Sequence, residues 1–158
     1  MAIATTLSDC LHRSGITYDV AWHPTSQYSM ETAELARIPG DRLAKTVLLE
    51  DDGGYVAAVL PATRHVLLAT LSRETGRTLR LACEDELGDL FKDCELGAIP
   101  PPLAAMYRGM TTYVDESLLG QADVYFEAGD HKELIHLSTE SFLKLMDGAE
   151  RAQFSRHM

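Results

Sequence analysis

Two apolar runs, Lys45–Glu50 and Tyr55–Leu60, flank the tetrapeptide Asp51-Asp52-Gly53-Gly54. That composition and spacing predict a β-hairpin, because Asp and Gly accept the left-handed backbone a tight turn needs. A lone hairpin is marginal in water, so these two strands demand further strands or a helix to cover them. Side-chain alternation puts Lys45, Val47 and Leu49 on one face and Thr46 and Leu48 on the other. The hairpin therefore begins with a lysine whose neighbours on the same face are apolar.

The rest of the chain supplies the cover. Thr6–Arg13 reads as a helix with Leu7 and Leu11 on one side and Gly15 as its stop. Thr17–Trp22 reads as a strand, and His23-Pro24-Thr25-Ser26 as a loop, since proline disfavours helix at the residue before it. A helix over Met30–Arg37 is expected, capped by Ser29 and ended by Pro39-Gly40. After the hairpin, helix is expected over His65–Arg73, a short strand over Leu79–Ala82, and an amphipathic helix over Glu84–Phe91. The stretch from Gly97 to Pro102 is a rigid loop, because its prolines lack donors and fix φ. Thr111–Val114, Asp123–Ala128 and Glu133–Leu137 read as strands, the first two joined through a turn or helix at Glu116–Leu119 and the last two paired across Gly129-Asp130. A helix over Ser138–Met146 closes the pattern. The expected architecture is α+β, with a largely antiparallel, barrel-like sheet surrounded by helices.

At 158 residues the chain fits one domain spanning residues 1–158, long enough to bury about 68–70% of the surface its unfolded form exposes. No stretch approaches the roughly 18 apolar residues of a membrane span, and the N-terminus has no basic segment followed by an apolar core. A cytoplasmic location without membrane association is expected. Cys10, Cys83 and Cys94 are odd in number and scattered, so buried reduced thiols are expected, rather than a disulfide framework or a zinc site. The formal net charge of −10 argues against gripping long duplexes such as DNA, where Lys and Arg must neutralise phosphates. It leaves room for local contact with a nucleic-acid end. Arg37, Arg42, Lys45 and Arg64 form a candidate positive patch, although solvated surface charge is the plainer reading of the arginines.

Three elements carry candidate chemistry. A lysine pointing toward the sheet interior needs an anion or a path to solvent, so Lys45 is either a ligand anchor or a strand-end lysine snorkelling to water. Gly97, with Ala98, Ile99, Pro100 and Pro101, can present backbone groups to a ligand at close range, or can be a simple turn. His131, after Gly129 and Asp130, suits the rim of a site, or faces solvent in a hairpin turn. His131, Glu133 and His136 lie close together, but neither H-E-x-x-H nor the zinc-deaminase signature is present, so no metal and no cofactor is expected. There is no G-x-S-x-G elbow and no thiol-protease signature around Cys83 or Cys94.

His23-Pro24, Thr32-Ala33-Glu34, Ile38-Pro39-Gly40, Ala44-Lys45-Thr46-Val47, Ala58-Val59-Leu60-Pro61, Gly97-Ala98-Ile99-Pro100-Pro101 and Gly129-Asp130-His131 together resemble the YbaK/ProX family. These are free-standing aminoacyl-tRNA deacylases related to the editing domain inserted in bacterial prolyl-tRNA synthetases. The resemblance runs from about His23 to Met146. It implies trans-editing: hydrolysis of the ester joining a wrong amino acid to the terminal ribose of a tRNA, typically that for proline. In such enzymes the lysine, here Lys45, anchors the acceptor end. The G-x-x-x-P loop, here Gly97 to Pro101, positions the aminoacyl group or its ribose, and the histidine, here His131, lines the aminoacyl pocket. Thr46, Gly129 and Asp130 fall beside these motifs as substrate-binding candidates.

Water attacks with help from a ribose hydroxyl of the substrate, which agrees with the missing protein nucleophile. The implied partner is the aminoacyl-tRNA acceptor end, with an aminoacyl-tRNA synthetase as an open second partner. Two rivals stand beside this expectation. One is a non-catalytic module of the same fold that binds a small aminoacyl or nucleotide ligand. The other is a small-ester hydrolase that needs no tRNA.

Overall fold

The hairpin forms as its pattern requires. Strand β2 (Leu43–Asp51) pairs antiparallel with β3 (Gly54–Pro61), with Asp51 opposite Gly54 and a turn of Asp52 and Gly53 between them. Asp51 closes the turn by accepting the Gly53 amide at 2.8 Å. It also takes the Arg77 guanidinium on both oxygens, at 2.7 and 3.0 Å. That forked pair holds the Asp51 carboxyl down at about 2.

The computed structural model describes residues 3–26, 28–82, 91, 93–95, 98–102, 106 and 110–158. The strands added to the hairpin are β1 (Asp19–Trp22), β5 (Arg80–Leu81), β6 (Thr111–Asp115), β7 (Asp123–Glu127), β8 (Glu133–Ser138) and β9 (Glu150–Ala152). They form one sheet in the order β1-β8-β7-β2-β3-β6-β9, with β5 paired to β2. β8 runs antiparallel to both β1 and β7, and β2 to both β3 and β5, whereas β7–β2, β3–β6 and β6–β9 are parallel. The sheet is thus mostly antiparallel, built from hairpins joined in parallel.

Helices lie on both faces. Helix α1 (Thr5–Ser14) buries Leu7, Cys10 and Leu11, and Gly15 ends it in the left-handed conformation. Each such leucine contributes about 1.5–3 kcal/mol of apolar burial. Helix α5 (Thr139–Leu145) joins it through Phe142 and Leu145, over a layer that includes Ala44, Leu48, Ala57, Val59, Phe126 and Ile135. Ser138 caps α5 by accepting the Ser141 amide at 3.1 Å. On the opposite face Leu71 of α3 (Leu68–Thr75) packs with Leu49, Val56, Ala58, Leu60 and Phe154. Beside it, Ala33 of α2 (Ser29–Ala36) packs with Leu43, Ala62 and Leu134. A one-turn helix α4 (Glu116–Leu119), capped by Asp115, links β6 to β7.

Three expectations change. Ser29 is not the cap of α2: Tyr28 holds that position in extended backbone without a side-chain hydrogen bond, and Arg37, at φ 58°, ends the helix before Pro39-Gly40. Residues of the helix expected over His65–Arg73 divide between strand β4 (Arg64–Val66) and α3. The cause is tertiary, because β4 pairs antiparallel with β10 (Ser155–His157) near the C-terminus. Strands β9 and β10 themselves were not expected. The helix expected over Glu84–Phe91 and the residue Cys83 lie outside the described residues, apart from Phe91, which is buried. Cys10 and Cys94 are free thiols; Cys10 is buried, and desolvation pushes Cys94 up to about 12.

Candidate active site

β2 is where the site begins. β7 pairs with β2 only at Leu43 and Ala44, and β5 joins the same edge only at Leu49 and Glu50. Lys45 stands at the start of the gap between them. Alternation holds: Leu43, Val47 and Leu49 join the clusters on one face, and Ala44 and Leu48 join the cluster on the other. Lys45 therefore shares the face covered by α2 and α3. Its Nζ donates to the Ala62 carbonyl at 3.3 Å and meets no carboxylate among the described residues. Since an ammonium has three N–H donors, two remain for solvent or a ligand. Burial lowers the Lys45 pKa from its ordinary value.

The turn after β7 is held from several sides. Ala128 accepts the amide of Ala4 and donates to Glu133, at 2.9 and 3.0 Å. Asp130 Oδ1 accepts the amides of Lys132 and Glu133, both at 3.0 Å, while Oδ2 is buried with no hydrogen-bond partner among the described residues. Gly129 sits at φ 117°, and a Cβ there would lie 2.8 Å from that of Ala4, so only glycine fits. His131 follows at φ 59°, a left-handed residue that sets the ring at the turn's corner.

The proline loop reaches this turn through its base. The Glu95 amide donates to the Gly129 carbonyl at 2.8 Å, and Ala98 donates back to Glu95 at 3.0 Å. Gly97 lies outside the described residues; Ala98, Ile99, Pro100 and Pro101 are described and buried. Ile99 belongs to the core, so what it offers a ligand is its backbone. The loop base and the Gly129-Asp130-His131 turn are thus brought together. Thr46 is not brought to Lys45: it points to the opposite face, its hydroxyl buried without a partner among the described residues.

Behind the turn lies a polar cluster whose roles the sequence reading missed. His23 and Glu127 are both buried, and His23 Nε2 stands 3.3 Å from Glu127 Oε1. Neither atom makes a hydrogen bond in that arrangement. His23 Nδ1 lies 2.8 Å from the Pro24 carbonyl, which can only accept, so Nδ1 carries the proton. Ser26 and Thr32 share a hydroxyl pair at 2.5 Å nearby. Burial pushes the Glu127 carboxyl up to about 7, with the Thr32 hydroxyl and the charge of His131 opposing the shift. The available signal was a carboxylate at the end of the apolar strand Val124-Tyr125-Phe126.

The positive patch is thinner than expected. Arg42 is paired with Asp123 at 2.8 Å, and Arg64 donates to Ser155 Oγ and O at 2.7 and 3.0 Å. His136 stacks on Tyr125 and contacts Asp123 at 2.6 Å, on the strand face opposite Glu133. No group of three His, Cys, Asp or Glu among the described residues is placed to hold a metal ion. An open cleft of about 470 Å³ lined by Trp22, His23, Pro24, Thr25 and Lys132 adjoins the turn. A slightly larger one, about 520 Å³, lies by Arg77, Tyr113 and Arg151 and holds none of the candidate residues.

The arrangement defines a mixed α+β domain in which a proline loop is tied to the glycine-centred turn after β7, with a part-buried lysine near the start of β2. The family model of the aminoacyl-tRNA editing domain matches residues 23–145, and the chain belongs to that family. Among solved structures it is similar to a candidate trans-editing enzyme for prolyl-tRNA synthetase, with 22% identity over 97% of this chain and 96% of that one, and a TM-score of 0.82. A hypothetical protein aligns with 23% identity over 96% and 99% of the two chains, at TM-score 0.83. A candidate signal transduction protein from Marinobacter aquaeolei VT8 aligns with 23% identity over 98% of this chain and 31% of its own length, at TM-score 0.77. These structural likenesses show the shared fold. A search of curated proteins finds no significant sequence match. No helix among the described residues is long and apolar enough to cross a membrane.

Proposed function

We propose that this chain is a trans-editing hydrolase that deacylates mischarged aminoacyl-tRNA, with tRNA for proline carrying a small wrong amino acid as the substrate of choice. The observation that carries the reading is the hydrogen bond from Glu95 to Gly129, which ties the loop ending in Ala98–Pro101 to the turn bearing His131. Lys45 supplies the cation. Being partly desolvated, it attracts a phosphate or polarised oxygen of the acceptor end more strongly than a fully hydrated lysine would.

Backbone groups of the loop from Gly97 to Pro101 hold the ester, and His131 lines the space for the amino acid. Water adds to the ester carbonyl, the acyl–oxygen bond breaks, and the ribose oxygen takes up a proton, releasing amino acid and tRNA. With no protein nucleophile in the scheme, catalysis rests on positioning and on stabilising the developing oxyanion. Pocket fit then sets specificity, where one methylene is worth about 1–3 kcal/mol.

The test is deacylation of tRNA for proline charged with alanine, serine, threonine or cysteine, comparing wild type with Lys45→Ala. Hydrolysis of one or a few members, lost in the variant, is expected. Failure on every member would overturn the proline assignment. A second reading, a ligand-binding module without catalysis, draws on the signal-transduction neighbour, in which this fold accounts for a minor part of the chain. It predicts ligand-induced stabilisation that Lys45→Ala abolishes, with no hydrolysis by either form.

A further inference from the structure

Trp22 is the only tryptophan of the chain, and it is 66% exposed. It ends β1, which among the described residues pairs only with β8, directly before the buried His23. This leaves a large aromatic surface in water beside the candidate site. The cleft of about 470 Å³ at its side is lined also by His23, Pro24, Thr25 and Lys132. That volume is in the range of small-molecule sites and accommodates a nucleobase.

The cleft is anchored to the site on both sides. The His23 amide donates to the Lys132 carbonyl at 2.9 Å, which ties the strand end to the turn. Lys132 follows His131 directly and its side chain is exposed, whereas Glu133, which pairs with Trp22 across the strands, is buried. An exposed indole and an exposed lysine lining one cleft are the local chemistry that binds single-stranded nucleic acid. The indole offers a face to a base, and the ammonium meets a phosphate.

We propose that Trp22 and Lys132 form a subsite for an unpaired nucleotide of the tRNA 3′ end, Trp22 stacking on the base and Lys132 contacting its phosphate. The proposal rests on the editing reading above and deepens it. While the aminoacylated terminal ribose lies between Lys45 and His131, an upstream base is held by the chain neighbours of His23 and His131. The same contact explains how an acidic protein can hold the acceptor end with few basic residues.

The lone tryptophan makes the test direct. Titration with the RNA tetranucleotide 5′-ACCA-3′, which carries no amino acid, is expected to quench Trp22 fluorescence saturably. Lys132→Ala should weaken binding and reduce the salt slope by roughly 0.7, the value for one phosphate contact on a single strand. Absence of quenching, or an unchanged salt slope in Lys132→Ala, would overturn the subsite and leave the face to a different occupant such as a protein partner. In turnover, Trp22→Ala should lower the ratio of kcat/KM for mischarged tRNA over the corresponding aminoacyl-adenosine by roughly 5- to 150-fold, and Trp22→Phe should restore most of it. An unchanged ratio would sink the proposal. Quenching by the RNA with no turnover of either ester would overturn the editing reading while supporting the subsite.

Discussion

His23 Nε2 faces Glu127 Oε1 at 3.3 Å with both side chains buried and no hydrogen bond between them. The pair sits against Ser26, Thr32 and the His131 turn, and its carboxyl is pushed up to about 7 by burial. Because the folded-state value lies above the ordinary one of 4.5, the native state holds the proton more tightly than the unfolded chain. The contribution of Glu127 to stability is therefore fully present below about pH 4.5, declines as pH rises toward about 7, and is level beyond that.

Glu127→Gln removes this dependence. Relative to wild type, the variant should gain stability on going from pH 4.5 to pH 8, on the order of 1–3 kcal/mol. Urea unfolding of both proteins at the two values checks it. His23, His131, Asp130 and Glu95 also face or act on the carboxyl, so the difference between the proteins, not either curve alone, is the readout. Parallel curves would mean that the Glu127 carboxyl titrates alike in the folded and unfolded states.

Gly129→Ala should destabilise the fold by about 1–3 kcal/mol, since it combines a strained φ of 117° with a Cβ placed 2.8 Å from Ala4. The same clash pushes against the turn that carries His131, so deacylation should fall more than stability alone explains. Measuring residual activity well below the variant's melting temperature separates the two effects.

Asp115 does two jobs with its two oxygens. Oδ1 accepts the buried Phe154 amide at 2.9 Å, and Oδ2 accepts the Ser117 amide at 3.2 Å together with the Ser117 hydroxyl. Asp115→Ala should cost about 2–4 kcal/mol, combining an orphaned buried donor with a lost helix cap. Asp115→Asn, which keeps a carbonyl acceptor, should cost clearly less. Equal losses would show that charge rather than the acceptor is what Phe154 requires.

The hairpin of β2 and β3, helix α1 and the β7–β8 turn were legible because each is encoded within a dozen residues by apolar spacing and a turn signal. So was Lys45, whose face follows from alternation alone. The pairing of Arg64–Val66 with Ser155–His157 was not, because two three-residue strands some ninety positions apart carry no periodicity that local reading can find. His23 and Glu127 escaped for a related reason. Each is ordinary in its own segment, and only the docking of β1 beside β8 and β7 turns them into a buried pair. Ser29 misled because capping preference was outweighed by the extended backbone of Tyr28.

The parallel seam between β2 and β7 is only two residue pairs long, Leu43 with Tyr125 and Ala44 with Phe126. It nonetheless joins the half of the sheet that owns Lys45 to the half that owns His131. The two hairpins lie far apart in sequence, and closing so long a loop is among the slower events available to a folding chain. Completion of the fold is therefore what makes one sheet of the two halves: a chain caught before the seam closes carries Lys45 and His131 on separate pieces.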